Sequence, residues 1–86
     1  MSDLARSPKQ IGSIIRRVRK KRGLSQMELS ERTGLRQGTI SLIETGNPAA
    51  RIETLLAVLA ALDLDFRIST REPGPSHTDD LEDLFG

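Results

Sequence analysis

The chain has 86 residues, of which 36% are hydrophobic, and this length suffices for one small domain. It contains no cysteine, which excludes disulfides and thiolate metal sites, and its one histidine, His77, cannot build a metal site alone. No run reaches the roughly 18–20 apolar residues of a membrane span, and the first ten residues lack the apolar core of a signal peptide. We therefore expect a cytoplasmic protein with no cofactor, no metal and no membrane contact.

The net charge of +1 conceals an asymmetry between the two ends of the chain. Residues 1–51 carry eleven Lys/Arg and four Asp/Glu, a net charge of +7, whereas residues 52–86 carry two and eight, a net charge of −6. A basic part followed by an acidic part indicates two different kinds of contact.

The first predicted helix follows residues 1–6, which we expect to be flexible. Ser7 suits the N-cap, Pro8 suits the first helical position, and Gln10 would complete a capping box. Gly23 fits the position just after the end of this helix. Its apolar stripe consists of Ile11, Ile15, Val18 and, beyond the turn, Leu24.

A second capping box, Ser25 with Glu28, opens a short helix predicted over roughly Gln26 to Arg32. Leu29 would face inward, and Gly34 would close the helix. Only three or four residues separate it from the next helix.

The next stretch, LRQGTISLIETG over residues 35–46, has apolar residues at helical spacing but begins with poor helix formers. Its first turn sacrifices roughly 2–3 kcal/mol of helix propensity relative to alanine. Two short helices joined by a tight Gly-containing turn form a helix-turn-helix, whose second helix reads bases in the DNA major groove. Arg36, Gln37 and Ser41 can hydrogen-bond bases, and Gly38 permits close approach. The N-terminal N–H groups of both helices suit phosphate.

A fourth helix is predicted over roughly Arg51 to Leu62. Its start is ambiguous, because Asn47 and Pro48 could cap it earlier. Arg51 could either reach a DNA phosphate or simply be solvated. The predicted buried face consists of Ile52, Leu55, Leu56, Leu59 and Leu62.

The hydrophobic period then changes from 3.6 to 2, which predicts a strand over residues 64–71. A single strand has no partner within the chain, so we expect it to pair with the same strand of a second molecule. Leu64, Phe66 and Ile68 would then form the dimer interface. The alternative is a loop that pairs with nothing.

Residues 72–86 hold two prolines, two glycines and five acids, with no Lys or Arg, and are predicted to be a disordered acidic tail. One interpretation is that this tail has no partner. The other is that Leu84 and Phe85 form a small apolar hook for a basic partner, with the acids steering the encounter.

An ordered set of motifs resembles the Cro/repressor-type (XRE) helix-turn-helix family. The motifs are I-G-x-x-I-R-x-x-R (residues 11–19), G-L-S-Q-x-x-L (23–29), T-G-L (33–35), I-S-x-x-E-x-G (40–46) and E-T-L-L (53–56). The resemblance implies a mainly all-α, lambda-repressor-like domain of four to five helices, which we place at residues 7–63.

The resemblance also implies roles for single residues. Gln26 matches a position that binds a phosphate and braces the recognition helix, and Thr39 matches a backbone-contacting one. Arg19 and Glu44 match a structural ion pair. The base-facing positions are Arg36, Gln37, Gly38 and Ser41. The expected phosphate contacts are Arg22, Ser25, Gln26, Thr39 and Arg51.

The Ser-Pro start, the XRE core, the single strand and the acidic tail together resemble HipB-type antitoxins. This implies an intertwined homodimer that binds palindromic operator DNA, represses its own operon and holds HipA, a serine/threonine kinase toxin, inactive. Two alternatives stay open: a stand-alone phage- or plasmid-type repressor, and an antitoxin of another toxin family. No catalytic constellation or small-molecule substrate site is indicated, so we expect no enzyme.

Overall fold

Four helices form the part of the chain that the computed structural model describes, residues 4–47 and 49–71. They are α1 (Pro8–Lys21), α2 (Gln26–Thr33), α3 (Gln37–Glu44) and α4 (Ile52–Ala61), and no strand occurs among the described residues. The predicted lambda-repressor-like helical fold is confirmed. None of the described helices is both long and apolar enough to cross a membrane.

The N terminus of α1 follows its sequence signals with one difference. Ser7 is the N-cap, and its hydroxyl oxygen accepts the Gln10 amide at 3.1 Å. Pro8 occupies the first helical position. The Gln10 side-chain oxygen, however, accepts the N–H of Arg6 at 2.6 Å instead of that of Ser7. The predicted capping box is therefore displaced by one residue, because the long Gln10 side chain reaches past the cap.

The capping box of α2 forms as predicted. The Ser25 hydroxyl accepts the Glu28 amide at 3.0 Å, and the Glu28 carboxylate accepts the Ser25 amide at 3.0 Å. Gly34 ends the helix in the left-handed conformation with φ 73°. The backbone amide of Ser25, and after it the Ser25 hydroxyl, hydrogen-bond the Glu28 carboxylate and lower the pKa of Glu28 below its ordinary value of 4.5.

The lowered pKa of the Glu28 carboxylate predicts that the stability of the protein depends on pH. Because folding lowers the pKa of Glu28, its contribution is present above pH 4.5 and is lost as the pH falls through the lowered pKa. Glu28→Gln keeps an accepting oxygen but does not titrate, so we expect a shallower loss of unfolding free energy on acidification. Urea titrations from pH 7 to pH 3 test this, and superimposable pH profiles would contradict it.

The hydrophobic core lies where all four helices meet. Its fully buried side chains come one from each helix and one from the residue that follows α4: Ile15, Leu29, Ile40, Val58 and Leu62. Leu24, Ile43 and Leu59 complete the buried cluster. Each helix is too short to be stable alone, so this shared core holds α2 and α3 in place.

The buried face of α4 differs from the predicted one. Ile52 is 74% exposed and Leu56 is 43% exposed, whereas Val58, which the prediction left out, is fully buried. The stripe that faces the core runs through positions 55, 58, 59 and 62, which is the i, i+3, i+4, i+7 spacing of one helix face. Leu55, Leu59 and Leu62 were assigned correctly, but two apolar residues beside them face away from the core.

The helix α4 also begins later than an Asn47 cap would place it. Asn47 accepts the Ala49 amide on its side-chain oxygen at 2.8 Å, a local turn within the loop. Arg51 is the extended N-cap residue of α4 and makes no side-chain capping bond. Pro48 lies outside the described residues.

The end of α4 directs the chain toward the predicted strand. Asp63 adopts a left-handed conformation with φ 57°, and the Leu64 amide donates back to the Leu59 carbonyl at 2.8 Å. Leu64 packs against the core of its own chain, whereas Phe66 and Ile68 are 56% and 70% exposed. The strand stays a prediction, since it requires a second molecule. The predicted tail, with Leu84 and Phe85, lies outside the described residues.

Candidate nucleic-acid interface

The helices α2 and α3 form a compact two-helix unit joined by three residues, Gly34 to Arg36. The buried side of α3 carries Ile40 and Ile43, which are 0% and 4% exposed. The predicted base-facing residues lie in the opening turns of the same helix. Of these, Arg36, Gln37 and Gly38 are exposed, and Ser41 is half-buried, as is the predicted backbone contact Thr39.

The N terminus of α3 carries no side-chain cap, unlike those of α1 and α2. Arg36 stands at the N-cap in an extended conformation and makes no capping bond, and no acid lies in the first turn. The first N–H groups of a helix have no partner within the helix and bear a partial positive charge. This end of α3 therefore suits an anionic or hydrogen-bond-accepting surface.

A buried ion pair fixes α3 against α1. The Arg19 guanidinium donates to both Glu44 carboxylate oxygens, from Nε at 2.6 Å and from Nη2 at 3.0 Å. Its Nη1 donates to the Leu24 carbonyl at 2.7 Å, so one side chain joins α1, the following turn and α3. The hydrogen bond with Glu44 raises the pKa of Arg19 above its ordinary value, which keeps the guanidinium charged.

The start of α2 is attached to the same carboxylate. Gln26 donates from Nε2 to Glu44 Oε1 at 3.2 Å, so a residue at the beginning of α2 is held to the end of α3. No buried side-chain polar atom among the described residues lacks a hydrogen-bond partner. The two helices thus form one rigid unit.

The other predicted phosphate contacts come from several elements and remain accessible. The Arg22 side chain is 45% exposed and lies 3.4 Å from an Asp63 carboxylate oxygen. The Arg51 side chain is 82% exposed and its Nη1 is 3.9 Å from Glu53 Oε1. Ion pairs this exposed contribute little and can be exchanged for a phosphate. The Ser25 hydroxyl accepts the Glu28 amide and also interacts with the Glu28 carboxylate, so a phosphate at this position would replace the carboxylate as its acceptor.

Two features of the site were not identified from the sequence. Leu42 is 53% exposed on α3, and an apolar residue two positions after Ile40 and one before Ile43 could have been recognised as facing away from the core. Gly12 is buried on α1, and a Cβ at this position would lie 2.3 Å from the Ile43 carbonyl oxygen. Its sequence signals were a glycine within the first helix and its place in the I-G-x-x-I-R-x-x-R motif.

A sequence profile of the helix-turn-helix family matches residues 15–68. The chain belongs to this family. The match includes the two-helix unit, the hydrogen-bonded residues Arg19, Gln26 and Glu44, and most of the predicted strand. It confirms the XRE-type domain that the motifs indicated.

Two curated relatives of this helix-turn-helix protein are both Antitoxin HipB from Escherichia coli. The relative from strain K12 is 28% identical over 74 residues, which span 85% of this chain and 84% of the relative. The relative from E. coli O6:H1, strain CFT073, is 27% identical over 78 residues, which span 91% of this chain and 83% of the relative. The predicted resemblance to HipB-type antitoxins is confirmed.

Solved HipB structures share the fold of this helix-turn-helix protein. A chain of a HipB-O4 20mer complex superimposes with a TM-score of 0.77 at 27% identity, over 83% of this chain and all of that chain. A chain of a HipA-HipB-O2-O3 complex gives the same TM-score, identity and coverage. The likeness therefore extends over the complete length of those neighbouring chains.

Proposed function

We propose that this protein is the antitoxin of a HipBA-type toxin–antitoxin module. It acts as a homodimer that binds a palindromic operator, represses its own operon and neutralises a HipA-type serine/threonine kinase toxin. It works by binding and not by catalysis, and its place of action is the bacterial cytoplasm, at the nucleoid.

The observation that supports DNA binding is the exposed N terminus of α3, which has no side-chain cap. It belongs to a two-helix unit that the hydrogen bonds of Glu44 with Arg19 and Gln26 hold together. Arg36 and Gln37 are exposed at this end of the helix, and Arg36 makes no side-chain capping bond. Both lie within residues 1–51, which have a net charge of +7. In this geometry Arg suits guanine and Gln suits adenine in the major groove. Gln26 and Ser25 at the start of α2, together with Thr39, Arg22 and Arg51, then hold the phosphates.

A second copy of the chain supplies the second half of the interface. The large apolar side chains of Phe66 and Ile68 are exposed close to Leu64 in the sequence. A dimer whose strands pair across the interface would bury them. Two recognition helices must lie about 34 Å apart to enter successive major grooves of one DNA face. A palindromic operator follows from that two-fold symmetry.

A phosphate contact from Arg22 predicts a measurable salt dependence. A dimer with about eight phosphate contacts should show a slope of log affinity against log salt near −7. Arg22→Ala removes two contacts from the dimer, so the slope should become less steep by about 2. Fluorescence anisotropy with operator DNA at several salt concentrations measures both slopes. Arg71→Ala, which removes an exposed arginine outside the helices, is the matched control; an equal change in both variants would contradict the contact.

Toxin binding rests on the family relationship and on the acidic end of the chain. The HipB neighbours include a chain from a HipA-HipB-O2-O3 complex, and the match covers all of that chain and 83% of this one. Residues 52–86 have a net charge of −6, which suits a partner with a basic surface. Leu84 and Phe85 are the proposed apolar contacts in the tail.

Co-purification tests this assignment directly. The untagged full-length chain is expressed with the tagged product of the adjacent gene, and the isolated complex is identified by mass spectrometry. A stable complex with a kinase-like protein supports the antitoxin, and deletion of residues 73–86 should then weaken it. If no partner is retained while the chain binds a palindrome upstream of its gene, the protein is a stand-alone repressor.

A further inference from the structure

One large apolar side chain of the recognition helix lies outside the hydrophobic core. Leu42 follows the buried Ile40 by two positions and is 53% exposed. It lies one helical turn after Gly38 and three residues before Thr45, on the outward side of α3. An exposed leucine is ordinary on most surfaces, but here it stands on the helix that carries the base-facing residues.

The surface around Leu42 permits close contact with the floor of a groove. Gly38, one turn before Leu42, has no side chain, and a Cβ built there would meet nothing within 4 Å, so this position leaves open space beside Leu42. The Thr45 hydroxyl on the following turn donates to the Ser41 and Leu42 carbonyls, so its polar group is already engaged by the helix. Leu42 is therefore the large apolar projection between two small neighbours on this side.

A leucine can recognise only an apolar feature. Among the base edges that face the major groove, the C5-methyl group of thymine is the apolar one, and the remaining features are hydrogen-bond donors and acceptors. We propose that Leu42 is a specificity-determining residue that contacts a thymine methyl group in each half of the operator. This inference rests on the proposed DNA binding and adds the base preference that the polar residues Arg36, Gln37 and Ser41 do not supply.

Replacing thymine by 2′-deoxyuridine tests the contact, since it removes the methyl group and leaves every hydrogen-bonding group in place. The full-length protein is titrated by fluorescence anisotropy with its operator, mapped by footprinting upstream of its own gene, in which symmetry-related thymines are replaced pair by pair. One pair should weaken binding of the unmodified protein by about fourfold per half-site, the value of one buried methyl group.

Three variants assign that penalty to a side chain. Leu42→Ala should bind the thymine and uracil operators equally, and Leu42→Met, which keeps an apolar reach, should retain part of the penalty. Ile52→Ala removes another exposed apolar side chain and should retain the full penalty. Thermal melts establish that each variant is folded, which is expected because both positions are exposed.

The outcomes separate this inference from the proposed function. Specific binding that is insensitive to uracil at every thymine, or an equal penalty in the unmodified protein and in Leu42→Ala, would overturn the Leu42 contact and leave the DNA binding intact. Specific binding to no DNA upstream of the gene would overturn both. If Leu42→Ala weakens the kinase complex while the uracil penalty persists, Leu42 contacts protein, and the thymine contact is wrong.

Discussion

Replacing Glu44 by alanine is expected to lower the free energy of unfolding by about 3–5 kcal/mol. The Glu44 side chain is 2% exposed and accepts three hydrogen bonds, two from Arg19 and one from Gln26. Its removal leaves the 8% exposed Arg19 side chain with a buried charge and a single remaining partner, the Leu24 carbonyl. A small domain has only about 5–15 kcal/mol of stability, so this loss would bring it close to unfolding at 37 °C.

Urea unfolding followed by far-ultraviolet circular dichroism measures this loss, since the chain has no Trp or Tyr for intrinsic fluorescence. Protein concentration must be held constant, because a dimer gains apparent stability from mass action. Glu31→Ala, which removes an exposed acid from α2, is the matched control and should change stability by less than about 0.5 kcal/mol. A comparable loss in both variants would contradict the role assigned to the buried pair.

A double replacement separates the pair from the packing around it. Arg19→Met with Glu44→Leu fills similar volume without charge, and such replacements often restore the stability that a single substitution removes. We expect the double variant to be more stable than either single one. Its operator affinity should nevertheless stay reduced, because Gln26 loses the carboxylate that holds the start of α2 against α3. If the loss of unfolding free energy in the double variant equals the sum of the losses in the two single variants, the two charges do not interact.

The helices could be predicted because their signals are local. Ser25 and Glu28 form their capping box within four residues, and Gly34 closes α2 by a backbone conformation that glycine adopts readily. The poor helix formers at the start of α3 indicated a recognition surface for a reason that needs no tertiary structure, since low propensity must be offset by another role. Arg19 and Glu44, in contrast, lie 25 residues apart, and only the family resemblance related them.

Sequence patterns were insufficient where tertiary packing or a second molecule decides between local alternatives. The helix α4 carries apolar residues on more than one side, so periodicity alone could not tell that Val58 is buried and that Ile52 is exposed. The Asn47 side chain satisfies a nearby amide in its own loop, a bond that competes with helix capping. The pairing of residues 64–71 depends on a second molecule, and single-chain patterns predict such a strand without fixing its partner.

Gly12→Ala is expected to lower the free energy of unfolding by about 2–3 kcal/mol, although alanine favours a helix. A Cβ at this position would lie 2.3 Å from the Ile43 carbonyl oxygen and 2.7 Å from that of Glu44. Both are backbone atoms, so α1 and the end of α3 must separate, and no side-chain rotation can relieve the contact. The separation would also lengthen the Arg19–Glu44 hydrogen bonds and tilt the recognition helix.

Gly38→Ala is the matched control for this close approach, because it makes the same chemical change within a helix where a Cβ meets nothing within 4 Å. It should leave stability unchanged or raise it by up to about 1 kcal/mol through helix propensity. Urea unfolding compares the two variants with the unmodified chain. If Gly12→Ala and Gly38→Ala change the free energy of unfolding equally, α1 and α3 are not in rigid contact at Gly12. The expected divergence would show that Gly12 serves packing between helices and that Gly38 does not.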